Sequence, residues 1–141
     1  KFFNNKDFNK KINMEKNFDQ WNKEKKKIDK NNKIPFFHEW EFWWAKLWLN
    51  IWFEQNWKWY NNMRPVVIVK KFNNHVFLWI PLTSKKKNWK YYYWFKFKWK
   101  FSNAILSQIR LFDVKRLFQK EWKILNTDLL NIKTKIKKLF D

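Results

Sequence analysis

The 141-residue chain contains no cysteine and no glycine, and it has only three prolines. Without cysteine it has no disulfides, no thiolate zinc ligands and no cysteine nucleophile. Without glycine it lacks the glycine-rich loops that cradle phosphates, although a chain of this length normally carries about 10 glycines. Tryptophan is in excess instead, with 13 residues. The length allows one domain of about 100–150 residues with a short appended arm.

Acidic residues are scarce relative to basic ones. The chain has 32 Lys and Arg against 12 Asp and Glu, which gives a formal net charge of +20. This excess indicates a polyanionic partner, with nucleic acid as the first candidate. The alternative is a gene rich in A/T codons, which would inflate lysine and asparagine. Only 3 of the 32 cations are arginine, as such a bias predicts, so charge alone leaves both explanations open.

Long apolar runs are also absent. The N-terminus lacks the roughly 7–15-residue apolar segment of a signal peptide, and no stretch approaches the roughly 18 apolar residues of a membrane span. We therefore expect a cytoplasmic protein that does not associate with membranes.

Composition divides the chain into two parts. Residues 1–36 are dominated by lysine, asparagine and acidic residues, whereas residues 37–141 are rich in aromatic and β-branched residues. In the first part, the spacing of Phe18, Trp21 and Ile28 suits one stripe of a helix. We predict a basic, partly disordered N-terminal helical arm followed by one domain.

Short aromatic and β-branched segments in the second part alternate with asparagine and lysine clusters, as antiparallel strands do. Asn73-Asn74 suits a two-residue hairpin because asparagine tolerates positive φ. Strands this short favour a mainly β fold built as a small barrel. The predicted strands lie near residues 40–48, 65–72, 75–82, 90–97 and 101–111.

The C-terminal segment, residues 126–140, is predicted to be an amphipathic helix lying on the barrel. It opens on Asn-Thr-Asp, a cluster typical of helix capping. Its expected apolar face consists of Leu129, Ile132, Ile136, Leu139 and Phe140.

Chemistry-bearing residue types give weak signals by themselves. His38 and His75 could form the acid–base pair of a nuclease, but each lies beside a strand boundary or turn, and we favour ordinary surface roles for both. The acidic residues are scattered and show no metal-ligand spacing. We therefore expect no metal and no other cofactor.

Lysines and aromatic residues alternate in KYYYWFKFKWKF, residues 90–101. This pattern is similar to a stacking surface for single-stranded bases, but we favour a strand that alternates between a core face and an exposed face. Lys85-Lys86-Lys87 likewise favours a solvated loop, although such a loop could attract a phosphate backbone.

Three segments together resemble the MazF/PemK family of toxins from type II toxin–antitoxin systems. They are RPVVIVKKF at 64–72, IPLTS at 80–84 and SNAILSQIRLFDVKRL at 102–117, and the resemblance extends over residues 39–140. It implies an SH3-like barrel with a C-terminal helix, assembled as a homodimer, that cleaves single-stranded RNA at short sequences without a metal. It also implies a cognate acidic antitoxin and, through the antitoxin, operator DNA.

The resemblance also assigns roles to individual residues. Arg64 would be the catalytic arginine beside the scissile phosphate, and Thr83 its hydroxyl partner. The attacking group would be the 2′-hydroxyl of the substrate ribose, leaving a 2′,3′-cyclic phosphate and a 5′-hydroxyl. Glu54, Gln55 and Gln108 match positions that contact substrate in relatives, and their carboxylate and amide edges suit unpaired bases.

Structural roles are the alternative for some of these side chains. Gln108 could be a buried amide that hydrogen-bonds to the main chain. For Arg110 and Asp113 we favour an internal salt bridge over a catalytic role.

The chain departs from the family at its glycines. Tryptophan stands at several positions within residues 39–60 where the family usually has glycine, often beside turn residues where backbones need positive φ. We predict that UGA codons read as glycine by the organism have been translated as tryptophan. Trp21, Trp43 and Trp44 are expected to be genuine, and Trp94 is left open. Glycine is expected at Trp40, Trp48, Trp52, Trp57, Trp59, Trp79, Trp89, Trp99 and Trp122.

Two other functions follow from the same residues. A non-catalytic nucleic-acid-binding barrel would use the same lysine and aromatic surface, with tryptophans blocking the cleft. A related toxin of this fold acts on gyrase, but the presence of both Arg64 and Thr83 disfavours that function here.

Overall fold

The computed structural model of the protein describes residues 17–47 and 63–141. Within these ranges the chain forms seven β-strands, two α-helices and two 3-10 helices. In chain order these elements are α1 Phe18–Lys30, β1 Glu41–Lys46, β2 Met63–Lys71, β3 Val76–Thr83, β4 Tyr92–Phe97, β5 Lys100–Ile105, the 3-10 helix Leu106–Gln108, β6 Arg110–Asp113, the 3-10 helix Val114–Arg116, β7 Leu117–Lys123 and α2 Asn126–Lys138.

The strands form one antiparallel sheet in the order β4-β5-β3-β2-β1-β7, and β6 pairs with β3 outside this path. β2 and β3 are its centre and pair through Val66 and Pro81. One edge of β3 is shared: its C-terminal half pairs with β5, as at Leu82 and Ala104, and its N-terminal half pairs with β6. The mainly β fold with a C-terminal helix is therefore confirmed.

The prediction of a single strand over residues 101–111 is wrong, because two separate strands, β5 and β6, share this edge of β3. The ladder between β4 and β5 ends at Ile105, where the Leu106 amide bonds to the carbonyl of Tyr91 instead. The chain then makes one 3-10 turn and returns to β3 as β6. Strand propensity continues through this break, so the sequence pattern does not reveal it.

The apolar core has two layers because β2 is buried on both faces. Consecutive residues of a strand point to opposite faces, so Val66 and Ile68 pack in one layer while Val67 and Val69 pack in the other. α2 covers the second layer through Leu129. We call the opposite side of the sheet, to which Val66 belongs, the outer face.

The remaining strand predictions are confirmed with modest shifts in their ends, but β7 was not predicted. In β7 only Leu117 is buried, so its sequence carries little hydrophobic alternation. The turn between β2 and β3 is also at the predicted place, although it contains no positive φ. Asn73 acts there through its side chain, whose Oδ1 accepts hydrogen bonds from the amides of His75 and Val76 at 2.8 and 2.9 Å.

Both predicted helices are present, each with one error in its predicted face. In α1, Trp21 and Ile28 are buried but Phe18 is 49% exposed. In α2, Leu129 and Ile132 are buried, whereas Phe140 lies beyond the helix and is 83% exposed. The capping prediction is also wrong, because α2 starts after residue 125 and no side chain caps it.

α1 lies in the predicted N-terminal arm and is attached to the sheet domain. The Lys115 ammonium donates a hydrogen bond of 2.6 Å to the carbonyl of Asp29. The division at residues 36 and 37 stays a prediction, and the expected disorder of the arm falls on residues 1–16, outside the described ranges. No helix within the described ranges is both long and apolar enough to cross a membrane.

Positive φ occurs at two non-glycine residues of the described ranges, Trp40 with φ 63° and Lys98 with φ 52°. In this conformation Trp40 connects β2 to the residue after β7. Its amide donates to the carbonyl of Ile68, and its carbonyl accepts from the amide of Ile124, both at 2.8 Å. The positive φ expected for tryptophans beside turn residues is not found at Trp89, Trp99 or Trp122. Trp48, Trp52, Trp57 and Trp59 lie outside the described residues. Trp40, where glycine is expected from the family pattern within or beside strands, does have positive φ. Trp122 is not in a turn at all, because it lies within β7.

Candidate active site

Arg64, the second residue of β2, has its guanidinium buried inside the domain. In its side chain, Nε and Nη2 donate to the carbonyl of Leu82 at 3.2 and 3.0 Å. The residue is only 2% exposed, and burial lowers the pKa of Arg64 to about 8. A charged guanidinium forms strong, charge-assisted hydrogen bonds with an anion, which can offset part of the cost of burying it.

Thr83 is the last residue of β3 and follows the carbonyl that orients the arginine. Val66 of β2 pairs with Pro81 of β3. Continuing this antiparallel register by two residues brings Arg64 opposite Thr83. Directly opposed residues of neighbouring strands share a face, so the guanidinium and the hydroxyl project from the same side of the sheet. Thr83 is half-buried, and its Oγ1 accepts a hydrogen bond of 3.3 Å from the amide of Lys85.

The same row continues through Asn103 of β5, which the sequence analysis did not single out. Thr83 pairs with Asn103, and Asn103 pairs with Trp94 of β4. The Asn103 side chain is fully buried, and its Nδ2 donates to the carbonyls of Lys85 at 3.3 Å and Lys87 at 3.0 Å. Asn103 thus fixes the loop that leaves Thr83. The available signal was a polar amide inside a predicted strand.

The arrangement of Arg64 and Thr83 suits a phosphodiester. Arg64 bonds to the residue that precedes Thr83, and neighbouring strands lie about 4.8 Å apart, so the two side chains start from adjacent positions. A guanidinium binds two phosphate oxygens in a planar fork, and a hydroxyl can donate to a third. Donors fixed in this way also stabilise the extra negative charge of a phosphorane-like transition state.

The other predicted substrate contacts are Gln108, Glu54 and Gln55. Gln108 ends the 3-10 helix after β5, and its half-buried side chain makes no hydrogen bond with a described residue. The alternative expectation, a buried amide bonded to the main chain, is not met, and contact of Gln108 with substrate stays a prediction. Glu54 and Gln55 lie outside the described ranges, and their contact with substrate stays a prediction.

The expected salt bridge between Arg110 and Asp113 is not formed, although both residues lie in the described part of the chain. The Asp113 carboxylate instead caps the second 3-10 helix by accepting a hydrogen bond of 2.8 Å from the amide of Lys115. Burial lowers the pKa of Arg116, and the nearby Asp113 charge partly opposes that shift.

The two histidines do not form a catalytic pair. His38 Nδ1 lies 3.1 Å from Glu41 Oε1, and the His38 ring stacks on Trp40. His75 is exposed in the loop before β3. Within residues 17–47 and 63–141, no group of three or more His, Cys, Asp or Glu side chains is placed to hold a metal ion.

Glu39 and Glu41, at the start of β1, bind lysines from three other elements. Lys70 of β2 and Lys133 of α2 lie 3.4 and 3.0 Å from the Glu39 carboxylate. Lys120 of β7 lies 2.7 Å from the carboxylate of Glu41, which is itself almost fully buried. We call these five residues the acid-anchored cluster.

Both carboxyl groups of this cluster stay ionised because of their donors. Burial is the largest single influence and raises each pKa, but the hydrogen bonds together outweigh it and bring the pKa of both Glu39 and Glu41 below the ordinary 4.5. Besides the lysine ammonium groups, these donors include the amide of Lys71 for Glu39. For Glu41 they include the amide of His38 and the indole of Trp43, at 3.0 and 2.8 Å.

The described fold is similar to that of a solved toxin, Mycobacterium tuberculosis MazF-mt6. The two structures superpose with a TM-score of 0.54 and 14% sequence identity, over 72% of this chain and 96% of that chain. Identity this low supports a shared fold and nothing finer. It confirms the predicted fold class as a MazF-like fold.

Sequence comparison gives the family. Curated protein sequences yielded no match, whereas one family model matches residues 39–140, well over half of the chain. Because that model describes the PemK-like, MazF-like toxins of type II toxin–antitoxin systems, the chain belongs to this family.

Proposed function

We propose that the protein is the toxin of a type II toxin–antitoxin system and acts as a sequence-specific endoribonuclease on single-stranded mRNA. The observation that carries this proposal is the hydrogen bonding of the Arg64 guanidinium to the carbonyl of Leu82, the residue that precedes Thr83. Family membership supplies the reaction class.

In the proposed reaction the ribose 2′-oxygen forms a new bond to phosphorus as the bond to the 5′-oxygen breaks. The 2′-hydroxyl loses its proton and the departing 5′-oxygen gains one, so the products are a 2′,3′-cyclic phosphate and a 5′-hydroxyl. Arg64 would hold two non-bridging oxygens and Thr83 would donate a further hydrogen bond, which stabilises the added charge in the transition state.

The test is incubation of the purified protein with end-labelled single-stranded RNA in the presence of a metal chelator. We expect discrete fragments that carry 2′,3′-cyclic phosphate and 5′-hydroxyl ends. Binding without fragments would favour the alternative function, a non-catalytic nucleic-acid-binding barrel. Fragments with 5′-phosphate ends would exclude attack by the 2′-hydroxyl.

The proposed partners follow from the same family. An acidic antitoxin would present a segment that folds on the basic toxin, and the toxin would reach operator DNA through that antitoxin. We also propose that the toxin is a cytoplasmic homodimer. Sedimentation at micromolar concentration tests this state, and a monomer mass would contradict it.

We further infer that glycine, and not tryptophan, stands at Trp40 in the natural protein. The left-handed φ of 63° there costs a bulky residue about 1–2 kcal/mol, whereas glycine adopts it freely. Trp79 supports the same inference, because its indole nitrogen is buried and hydrogen-bonds to no described residue. The test is the gene: UGA at Trp40 and Trp79 with UGG at Trp44 is expected, and UGG at all three would refute the inference.

A further inference from the structure

β4 and β5 present an aromatic surface on the outer face. Phe95 and Phe97 point into the core layer under α2, whereas Trp94 and Lys96 point to the other side. Phe101 of β5 stacks on Trp94 with ring centroids 5.3 Å apart and planes 2° apart, and it is 51% exposed. The predicted alternation of this strand is confirmed, and its outward half displays stacked rings.

Lysines from the loop after β3 lie over these rings. The Lys86 ammonium is 5.9 Å from the centre of Trp94, and the Lys87 ammonium is 5.4 Å from the centre of Tyr92. No acidic residue of the described chain pairs with either lysine. A cation held over a ring keeps its charge available for an anion. We call Lys86, Lys87, Tyr92, Trp94 and Phe101 the lysine–aromatic face.

The loop that carries the lysines is held in place by the sheet. Asn103 is bonded to the carbonyls of Lys85 and Lys87 and is fully buried beneath them. It therefore fixes the loop main chain while leaving the lysine side chains exposed. Fixing the loop in advance reduces the entropy lost when a ligand binds.

The lysine–aromatic face lies on the same side of the sheet as the candidate active site, and the loop that covers Asn103 lies between them. Trp94, Asn103 and Thr83 occupy one row across three neighbouring strands and point to the same side. Two strand spacings separate Trp94 from Thr83, which is about 10 Å. A strand of nucleic acid whose phosphate lies at Arg64 and Thr83 would therefore pass the lysine–aromatic face with its next nucleotides.

A cleft opens at the edge of this face. It has a volume of about 370 Å³ and lies between the loop around Lys87, strand β4 and helix α2. Its charged side chains are all basic: Lys87, Lys90 and Lys135. A basic cleft beside stacked rings is the combination that single-stranded nucleic-acid sites use, with lysines along the backbone and rings under the bases.

We propose that the lysine–aromatic face binds unpaired nucleotides of the RNA strand that flank the cleaved bond. This inference rests on the function proposed above. Because every base has a flat ring face, stacking on Trp94 and Phe101 tolerates any sequence. The face would thus hold the strand in place, while the choice of cleavage sequence lies elsewhere.

The test measures binding apart from cleavage. The probe is a fluorescent, fully 2′-O-methylated oligouridylate of about twelve nucleotides, which has no free 2′-hydroxyl and cannot be cut. Fluorescence anisotropy of the full chain gives Kd at several salt concentrations. Trp94→Ala and Phe101→Ala are each expected to weaken binding about tenfold. The double variant Lys86→Ala/Lys87→Ala should make the salt slope shallower by about 1.4, because each lysine that neutralises a phosphate of a single strand adds about 0.7 to that slope.

Matched controls separate this effect from general loss of charge or stability. Phe72→Ala removes an exposed ring from the loop after β2, and Lys137→Ala/Lys138→Ala removes two exposed cations near the end of α2. Both controls should bind the probe like the parent. Melting curves by circular dichroism check the fold, and the exposed lysine pair keeps the test valid if an aromatic variant unfolds.

The outcomes distinguish this inference from the proposed function. If the parent cleaves RNA but the lysine–aromatic variants bind the probe like the parent, the inference is overturned and the function stands. If the parent does not cleave but the variants lose binding, the function fails and the face is supported. If the variants lose binding to an oligoglutamate peptide while binding the RNA probe normally, the face is a protein-docking surface and the inference is overturned.

Discussion

Two groups of lysines in the molecule have different partners. In the acid-anchored cluster, Lys70, Lys120 and Lys133 each lie within 3.4 Å of a carboxylate oxygen. In the lysine–aromatic face, Lys86 and Lys87 lie over rings, and no acidic residue of the described ranges pairs with them. The first arrangement joins β1 to β2, β7 and α2, whereas the second leaves charge open to solvent.

The difference shows where the net charge of +20 acts. The positive charge of a lysine beside a carboxylate is balanced by that negative charge, so the lysine contributes to the stability of the fold. Lys86 and Lys87 lie over rings and have no acidic partner in the described ranges, so their charge remains available to attract a polyanion. The gene's composition can inflate the number of lysines, but it does not decide which of them receive acidic partners.

The largest expected effect lies on the row at Arg64 and Thr83. Arg64→Ala and Thr83→Val should each lower the cleavage rate about 10²–10³-fold, because each removes one fixed donor to the transition state. Arg64→Lys should also be slow, since an ammonium cannot reproduce the planar fork. Thr83→Ser retains the hydroxyl and should recover most of the rate in single-turnover assays.

Melting temperatures serve as the control for these variants, since Arg64 is buried. A folded Thr83→Val protein that cleaves RNA as fast as the parent would remove the hydroxyl from the mechanism.

The next effect breaks the acid-anchored cluster. Glu41→Ala removes the acceptor for the buried Trp43 indole and for Lys120, and should lower the free energy of unfolding by about 1–3 kcal/mol. Glu24→Ala is the matched control, because its pair with Lys27 is on the surface of α1 and should change stability by less than about 0.5 kcal/mol. Urea denaturation measures both, and equal losses would contradict the assigned role of Glu41.

Acid should weaken the same cluster. The pKa of Glu39 and the pKa of Glu41 are lower in the folded protein than the ordinary 4.5. Their contribution to stability is therefore present above pH 4.5 and is lost as the pH falls through the folded values. Unfolding free energies measured between neutral and acid pH should decline below pH 4.5, and Glu41→Gln should decline less steeply. Equal slopes for parent and variant would remove Glu41 from the acid response.

The smallest effect sharpens the contrast between the two kinds of lysine. Lys133→Ala should lower the free energy of unfolding by about 0.2–1 kcal/mol, while leaving RNA affinity nearly unchanged. Lys86→Ala should do the reverse. Denaturation and anisotropy on both variants test this, and a pair of variants that change both quantities alike would show that the two regions are not distinct.

Hydrophobic pattern predicted most of the fold because most strands have at least one buried face. Val66 to Val69 pack on both faces and β3 pairs along its whole length, so their apolar runs are long and unambiguous. β7 was not predicted because only one of its seven residues is buried, which leaves little hydrophobic pattern in its sequence. The break between β5 and β6 was not predicted because the two strands pair with different parts of β3. Such long-range pairing is not encoded in local strand propensity.

The candidate site was only partly predictable for a related reason. Resemblance to a family identified Arg64 and Thr83, but their common face follows from strand register, which the residue types do not state. Asn103 was missed because its partners are main-chain carbonyls of Lys85 and Lys87. Such acceptors exist at every residue, so the sequence offered only the weaker signal of a polar amide inside a predicted strand.

The carbonyl of Leu82 that orients Arg64 makes the site robust to mutation. The side chain of Leu82 belongs to the core, but the carbonyl that accepts hydrogen bonds from the guanidinium is part of the peptide backbone. Substitutions at this position can therefore accumulate under selection for packing without removing the acceptor. An insertion or deletion within β3 would disrupt the site, because it shifts the strand by one residue and turns the Leu82 carbonyl away from Arg64. Evolutionary drift at this site should thus appear as side-chain variation on a strand of constant length.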